Sequence, residues 1–432
     1  MLKINIKPPA GAVEILKILN NNGHQAFFVG GCVRDAVLGL CPKDWDITTS
    51  ALPEEVELLF PNNFPSGKEF GTISVVADEI YEVTTFRTES QHDGRKAVVQ
   101  FTDSLLDDLS RRDFTCNSLA ADLSGNVVDP FNGIEDIKNG VIRAVGNPAD
   151  RFKEDSLRVL RAVRFAARFG FEIEAKTKDA LRVDISNLSG ERVRVELCKI
   201  LEASKPSKYI ALLMKKGLLS QIVPEIKACD GFDQKNPHHT KDVFSHILDV
   251  VDGSDSLIVK LAALFHDAGK PQTFSIDENG VGHFFGHAKV SAEIAQKAMR
   301  NLHFSNCEID KVRQLVEYHM NFSDFSEKAA RRLIAKVGEN FKELIELQIA
   351  DDLACDGARV SSLEGFAILC SKVIADKQAV SVKDLVVNGH DLLSIGKKGK
   401  QIGDTLSILL QMVIDDPSLN NKDILLSLAQ KD

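Results

Sequence analysis

The chain has no C-x-x-C pair. Its eight cysteines, Cys32, Cys41, Cys116, Cys198, Cys229, Cys307, Cys355 and Cys370, are scattered, which argues against a disulfide framework or a structural zinc site and for reduced thiols in a cytoplasmic setting. No apolar run reaches the length needed to cross a bilayer, so no membrane partner is expected. The opening MLKINIKPP lacks the basic-then-apolar pattern of a secretory signal. Internal repeats and low-complexity tracts are missing too, which excludes solenoids and disordered linkers of biased composition. An excess of positive charge is also lacking: 53 Lys and Arg stand against 62 Asp and Glu, a net charge of −9.

That deficit at first counts against a nucleic-acid partner. Phosphate binding depends on local patches rather than the sum, however, and basic residues do cluster: Arg111 and Arg112, then Arg151, Arg158, Arg161, Arg164 and Arg168, then Arg192 and Arg194. With 432 residues, 44% hydrophobic and 27% charged, the chain is globular in composition and long enough for two to four domains. The first part mixes the two periodicities. A helix is predicted over about Gly11–Asn20, followed by strands in QAFFVGG, GTISVVA and IYEVTTF. After the turn-rich DPFNGIEDIKNG the pattern becomes almost wholly helical. The expectation is an α+β chain with a mixed head over 1–147, a helical neck over 148–228, a helical metal-binding domain over 229–355 and a helical tail over 356–432.

The densest chemistry lies in FFVGGCVRDAVLGLCPKDWDITTS. Gly30 and Gly31, between a strand and a helix, let backbone amides approach a triphosphate, and the helix N-terminus favours its charge. Arg34 falls one turn into that helix. Asp44 and Asp46, two apart, would project from one face of a strand. Paired carboxylates repel unless a cation joins them, and their hard oxygens suit Mg²⁺. Glu82, in the strand YEVTTF, offers a third carboxylate for a two-metal cage. An isolated D-x-D is equally what a solvated strand end looks like; the upstream G-G-x-x-R-D favours the metal.

In RRDFTCN, Arg111 and Arg112 can clamp phosphates while Asp113 and Asn117 fix the arginines or bond a ribose; a helix-capping ion cluster is the plainer alternative. In RFKEDSLRVLRAVRFAARFG, Asp155 and Arg158 are spaced i, i+3, as on one helix face. An acceptor beside a donor mirrors the edges that cytosine and adenine share, an amine donor next to a ring acceptor. The alternative there is a salt-bridged amphipathic helix.

Taken together, GGCVRD, KDWDITTSALPEEVELLFP, GKEFGTISVV, YEVTTFR, RRDFTCNSLA, DPFNGIEDIKNGVIRAVG, RFKEDSLRVLRAVRFAARFG and ERVRVEL resemble the bacterial class II tRNA nucleotidyltransferases, the CCA-adding enzymes and their poly(A) polymerase relatives. The match spans roughly the first 200 residues, in order. It implies a polymerase-β-like head and helical neck, body and tail. It also implies template-independent addition of C and A from CTP and ATP to a tRNA 3′ end, with release of pyrophosphate. Asp44 and Asp46 would hold Mg²⁺, with Glu82 completing the carboxylate set. Gly31, Arg34 and Arg112 would contact the nucleotide, Asp155 and Arg158 would select C and A, and Arg161 and Arg164 would support them. GKEFGTISVV favours the tRNA enzymes over the poly(A) polymerases. The loop DGRKAVVQF departs from the family's DGRRP-like run and, in this family, influences passage from CC to A. CCA, CC-only and A-only addition therefore stay open.

A second constellation follows. His246, His266-Asp267 in HDAGKP, His287, His319 and Asp351 occur in order along helical sequence. This H…HD…H…H…D order resembles the HD superfamily of metal-dependent phosphohydrolases. It implies a divalent transition metal (Mn, Ni, Co or Fe), although some HD domains are structural or contact RNA. A chain that is only an HD phosphohydrolase with an RNA-binding head is the rival from another class. It leaves both head carboxylates and Arg158 without a purpose.

Overall fold

The computed structural model describes residues 2–92, 96–235, 241–321 and 324–431. The chain divides into two compact units, one of residues 1–203 with 215–221 and the other of 204–214 with 222–432.

The first unit opens with helix α1 (Ala10–Asn21), which buries Ala12, Ile15, Leu16 and Leu19 along one side, the spacing of an amphipathic helix. Strand β1 (Ala26–Val29) leads through a tight turn into α2 (Gly31–Val37). Strand β2 (Ile47–Thr49), α3 (Pro53–Leu59) and strands β3 (Asn63–Gly67), β4 (Thr72–Val76) and β5 (Ile80–Thr85) follow. A hairpin of β6 (Arg87–His92) and β7 (Lys96–Phe101) comes next; the tip of the departing loop, residues 93–95, lies outside the described residues. Then come α4 (Leu105–Ser110), β8 (Ala120–Ala121), β9 (Val127–Val128), α5 (Gly133–Lys138), a short strand at Val141–Ile142, α6 (Pro148–Glu154) and α7 (Leu157–Phe169).

One mixed seven-stranded sheet has the order β3-β4-β5-β2-β1-β8-β9, with β2 parallel to β5 and antiparallel to β1. Phe28, Ile47, Ile73, Val83, Phe86 and Phe114 are wholly buried in this unit. Burying each such side chain is worth about 1.5–3 kcal/mol, which anchors the strand ends that carry the polar residues. Helix α7 packs on the helix Gly190–Leu201, and the ion pair of Arg164 with Glu196, at 2.9 Å, joins the two.

The second unit is almost wholly helical. Helices Val243–Asp252, Leu257–Phe265, His287–Asn301, Asn306–Tyr318 and Phe341–Leu353 enclose a buried polar cluster, and the tail has its own core around Leu392, Leu409, Val413 and Leu425. Among the described residues no helix is long and apolar enough to cross a membrane. The α+β expectation holds.

Candidate functional site

Gly30 has φ 75°, the left-handed region that favours glycine, and the turn it makes sends the chain from β1 into α2. A Cβ there would sit 3.0 Å from a guanidinium nitrogen of Arg112, so the glycine also admits that arginine to the turn. Asp44 and Asp46 do not lie within a strand, as the D-x-D spacing predicts, but in the extended segment just before β2. The alternation survives nonetheless. Trp45 is buried edge-on against Phe28, with ring centroids 5.0 Å apart, and both aspartates face outward. Because Ile47 pairs with Val83, the preceding residues Asp46 and Glu82 come side by side at the same end of the sheet. The carboxyl of Asp46 is pushed above its ordinary value, first by the protein packed around it and then by the charge of Glu82. Arg112 opposes the shift and Asp44 adds to it. Three mutually repelling carboxylates form an oxygen-donor set that fits a hard divalent cation.

A cavity of about 570 Å³ opens beside them. Its lining includes Gly30, Gly31, Arg34, Asp44, Asp46, Arg111, Arg112, Asp113, Asn117, Asp155, Arg158, Arg161 and Arg164. Of the head and neck residues singled out from the sequence, Glu82, Arg151 and Arg194 stand outside the lining, Glu82 beside Asp46. Arg168 and Arg192 complete the basic wall, making eight arginines against four aspartates. The acidic chain therefore carries a strongly anion-attracting pocket.

Carboxylates hold the arginines, and two of them, Asp108 and Asp35, were missed by sequence reasoning. Asp108, wholly buried, accepts from Arg111 at Oδ1 (2.8 Å) and from Arg112 at Oδ2 (3.0 Å). Burial alone would raise its carboxyl, but Arg112 and Arg111 outweigh burial and hold it below the ordinary range. The i, i+3 and i, i+4 spacing in DDLSRR was the available signal. Asp35, in GGCVRD, accepts from Arg34 at 2.6 Å and from Arg168 at 3.1 Å. Asn117 accepts from Arg34 Nη1 (2.5 Å) and donates to Asp113 (3.0 Å), which in turn accepts from Arg161 (2.7 Å). Burial raises the Asp113 carboxyl, but Arg161 and Asn117 reverse the shift. Beneath them Phe165 carries Arg164 over its ring at 4.1 Å, with Arg34 and Arg161 at 5.2 and 5.3 Å, a face that tolerates three like charges.

Asp155 and Arg158 do not share a continuous helix. Asp155 is extended (φ −143°, ψ 104°) between α6 and α7, because its Oδ1 accepts the amide of Leu157 and starts the new helix. Its Oδ2 accepts from Arg192 at 2.9 Å. Arg158 donates to Glu154 at 2.7 Å and to the carbonyl of Arg111 at 3.0 Å. Both residues open into the cavity.

In the second unit His246, His266, Asp267, His287, His319 and Asp351 converge. His266 and Asp267 sit in the turn just beyond a helix end rather than on the helix. That turn packs closely against the helix that begins at His287: a Cβ on Gly269 would lie 2.8 Å from the His287 carbonyl. Asp267 faces both sides, with Oδ2 at 3.3 and 3.5 Å from His266 and His246 and Oδ1 at 3.3 Å from His287 and 3.9 Å from His319. Asp351 lies 2.9 Å from His246. The Nδ1 atoms of His266, His287 and His319 lie 2.7–2.8 Å from the carbonyls of Ala263, Phe284 and Val316. Carbonyls only accept, so Nδ1 carries a proton, and in the neutral ring Nε2 presents a lone pair. Yet His246 and His266 approach Nε2 to Nε2 at 3.3 Å, as do His287 and His319. Burial drives the His319 imidazole down to about 3, so it stays neutral. Converging lone pairs around a buried carboxylate fit one or two divalent metals.

Comparison with known proteins agrees with this geometry. The Poly A polymerase head domain matches residues 26–143, the probable RNA and SrmB-binding site of polymerase A matches 170–230, and the HD domain matches 238–356. The CCA-adding enzyme of Bacillus pumilus is 32% identical over 96% of both chains, and that of Lactobacillus helveticus 32% identical over 98% of both. The crystal structure of the Bacillus stearothermophilus CCA-adding enzyme in complex with CTP superposes over 99% of this chain and 98% of its own, with a TM-score of 0.73 and 27% identity. Carboxylate set, arginine-lined cavity and full-length likeness coincide in one polypeptide, and the chain belongs to the bacterial class II CCA-adding enzyme family.

Proposed function

We propose that this protein adds C, C and A to the 3′ end of tRNA from CTP and ATP in the cytoplasm, releasing pyrophosphate at each step. The observation that carries the reading is the single cavity in which two metal-suited carboxylates, eight arginines and the Asp155–Arg158 junction meet. Asp44 and Asp46, with Glu82 beside them, would hold Mg²⁺, which supplies charge neutralisation at the phosphates and activates the terminal hydroxyl. Gly30 and Gly31 give the triphosphate close access to backbone amides, while Arg34, Arg111 and Arg112 meet its charge. Asp113 and Asn117 hold Arg161 and Arg34 in place. Asp155 accepts from the exocyclic amine of C or A, and Arg158 donates to the ring nitrogen. GTP and UTP present the reverse pattern. To read a base Asp155 must part from Arg192, an exposed ion pair worth only about 0.2–1 kcal/mol.

The test uses purified protein, Mg²⁺ and tRNAs ending before CCA, after C and after CC. Growth of the first tRNA by three nucleotides with CTP plus ATP, and none with GTP or UTP, is expected. A stop after CC, extension of the CC-ended tRNA alone, or long A tails would overturn full CCA addition.

A second reading rests on the paired Nε2 atoms at 3.3 Å. His246, His266, Asp267 and Asp351 would hold one divalent transition metal (Mn, Ni, Co or Fe), and His287 and His319 a second across Asp267. Such a centre supports phosphohydrolase chemistry. The boundaries proposed with it are a head to about residue 147, a neck to 228, the metal domain to 355 and a tail beyond.

A further inference from the structure

Cys355 lies just beyond the helix that carries Asp351, and its thiol falls outside the histidine and aspartate pattern of the second unit. Its sulfur nevertheless lies in one group with a ligand atom of His246 and one of Asp351, all within 4.8 Å of one another. It reaches this group from an exposed position, whereas His246 and Asp351 are buried. An independent observation at the same place fits a cation: in neutral His266, whose Nδ1 donates to the Ala263 carbonyl, the Nε2 lone pair lies 3.3 Å from His246 Nε2 and 3.3 Å from Asp267 Oδ2, a carboxylate oxygen that can only accept.

We infer that Cys355 is a further ligand of the metal position built by His246 and Asp351. The inference rests on the reading of this cluster as a metal centre. Imidazole, carboxylate and thiolate form a mixed set in which the sulfur turns selectivity toward borderline and soft ions such as Co²⁺, Zn²⁺ or Fe²⁺ and away from Mg²⁺. On binding, the thiol releases its proton to solvent as the sulfur–metal bond forms. Cys229, which is buried and bonded to the Ala268 carbonyl at 3.9 Å, belongs to no such group of ligand atoms among the described residues.

Cobalt titration of the full chain tests this, with excess Mg²⁺ present to occupy the head carboxylates. A thiolate-to-cobalt charge-transfer band in the near ultraviolet is expected beside the visible d–d bands. Cys355→Ser should abolish the former and keep the latter, whereas Cys229→Ala should keep both. Changes in groups that merely orient metal ligands cost about 10–100-fold in affinity, and the serine variant should lose at least that much in equilibrium dialysis. Visible bands that depend on Asp267 but come without charge transfer would overturn the role of Cys355 and leave the metal centre standing. No Asp267-dependent cobalt at all would overturn both.

Discussion

Asn117 Oδ1 accepts a hydrogen bond from Arg34 Nη1 at 2.5 Å. The same amide donates to Asp113, so one neutral side chain fixes a cation on α2 and an anion that reaches Arg161 on α7. Asn117→Ala is therefore expected to leave two buried charged groups short of a partner, at about 1–3 kcal/mol of stability. It should also weaken nucleotide binding: each 1.4 kcal/mol lost from Arg34's hold is about a tenfold rise in KM. Denaturant unfolding and single-nucleotide incorporation measure the two effects, and an unchanged KM would refute the positioning role.

Asp108 carries two arginines of the cavity lining on one carboxylate without lining the cavity itself. Asp108→Asn should cost about 3–5 kcal/mol, the usual result of breaking a buried ion pair from one side. If a compensated background keeps the variant folded, its KM for CTP and ATP should rise together. A loss for only one nucleotide would place Asp108 in base choice instead.

Acid should expose the same two anchors. Asp108 and Asp113 titrate below the ordinary 3.8 in the folded chain, so the folded state binds fewer protons than the unfolded one. Their stabilisation is complete above that value and declines as pH falls through the lower folded values. Unfolding free energy followed from neutral pH down through pH 3 should drop in this window, and Asp113→Asn should flatten the drop. An equal slope in variant and parent would reject the assignment.

Asp46 predicts the opposite balance. Its carboxyl is raised by the protein packed around it and by Glu82, so its charge opposes folding when no cation is bound. Asp46→Asn is expected to keep or increase thermal stability in chelator while lowering turnover at least about a hundredfold, as for loss of a major electrostatic contact. Added Mg²⁺ should raise the melting temperature of the parent and not of the variant. A variant that melts lower without metal would contradict the repulsion argument.

Much of the head was legible because its chemistry is local in sequence. Gly30 to Asp46 span one strand–turn–helix unit, and the strands around Glu82 alternate cleanly. Helix α1 extends only one residue beyond each end of its predicted span. What escaped were groups whose meaning is relational. Asp35 reads as an ordinary helix acid until Arg168, 133 residues later, arrives beside it. Cys355 looked like one of eight scattered thiols because nothing in its neighbourhood along the chain marks His246 as near. The helical reading of Asp155 failed for a local reason: spacing alone does not reveal that an aspartate will cap the next helix rather than continue the last. Asp108 was within reach, since its spacing to Arg111 and Arg112 is helical, but a surface ion cluster has the same signature.

The break at Asp155 separates two inheritances. The carboxylates proposed to drive the reaction stand at one end of two central strands of a β-sheet, whereas the pair proposed to choose the letter stands where α6 gives way to α7, over seventy positions later. On that proposal, a change at the junction would alter the alphabet and leave the reaction, whereas a change at the sheet would silence the reaction and leave the alphabet. Descendants of such a chain can diverge in what they write long before any of them stops writing.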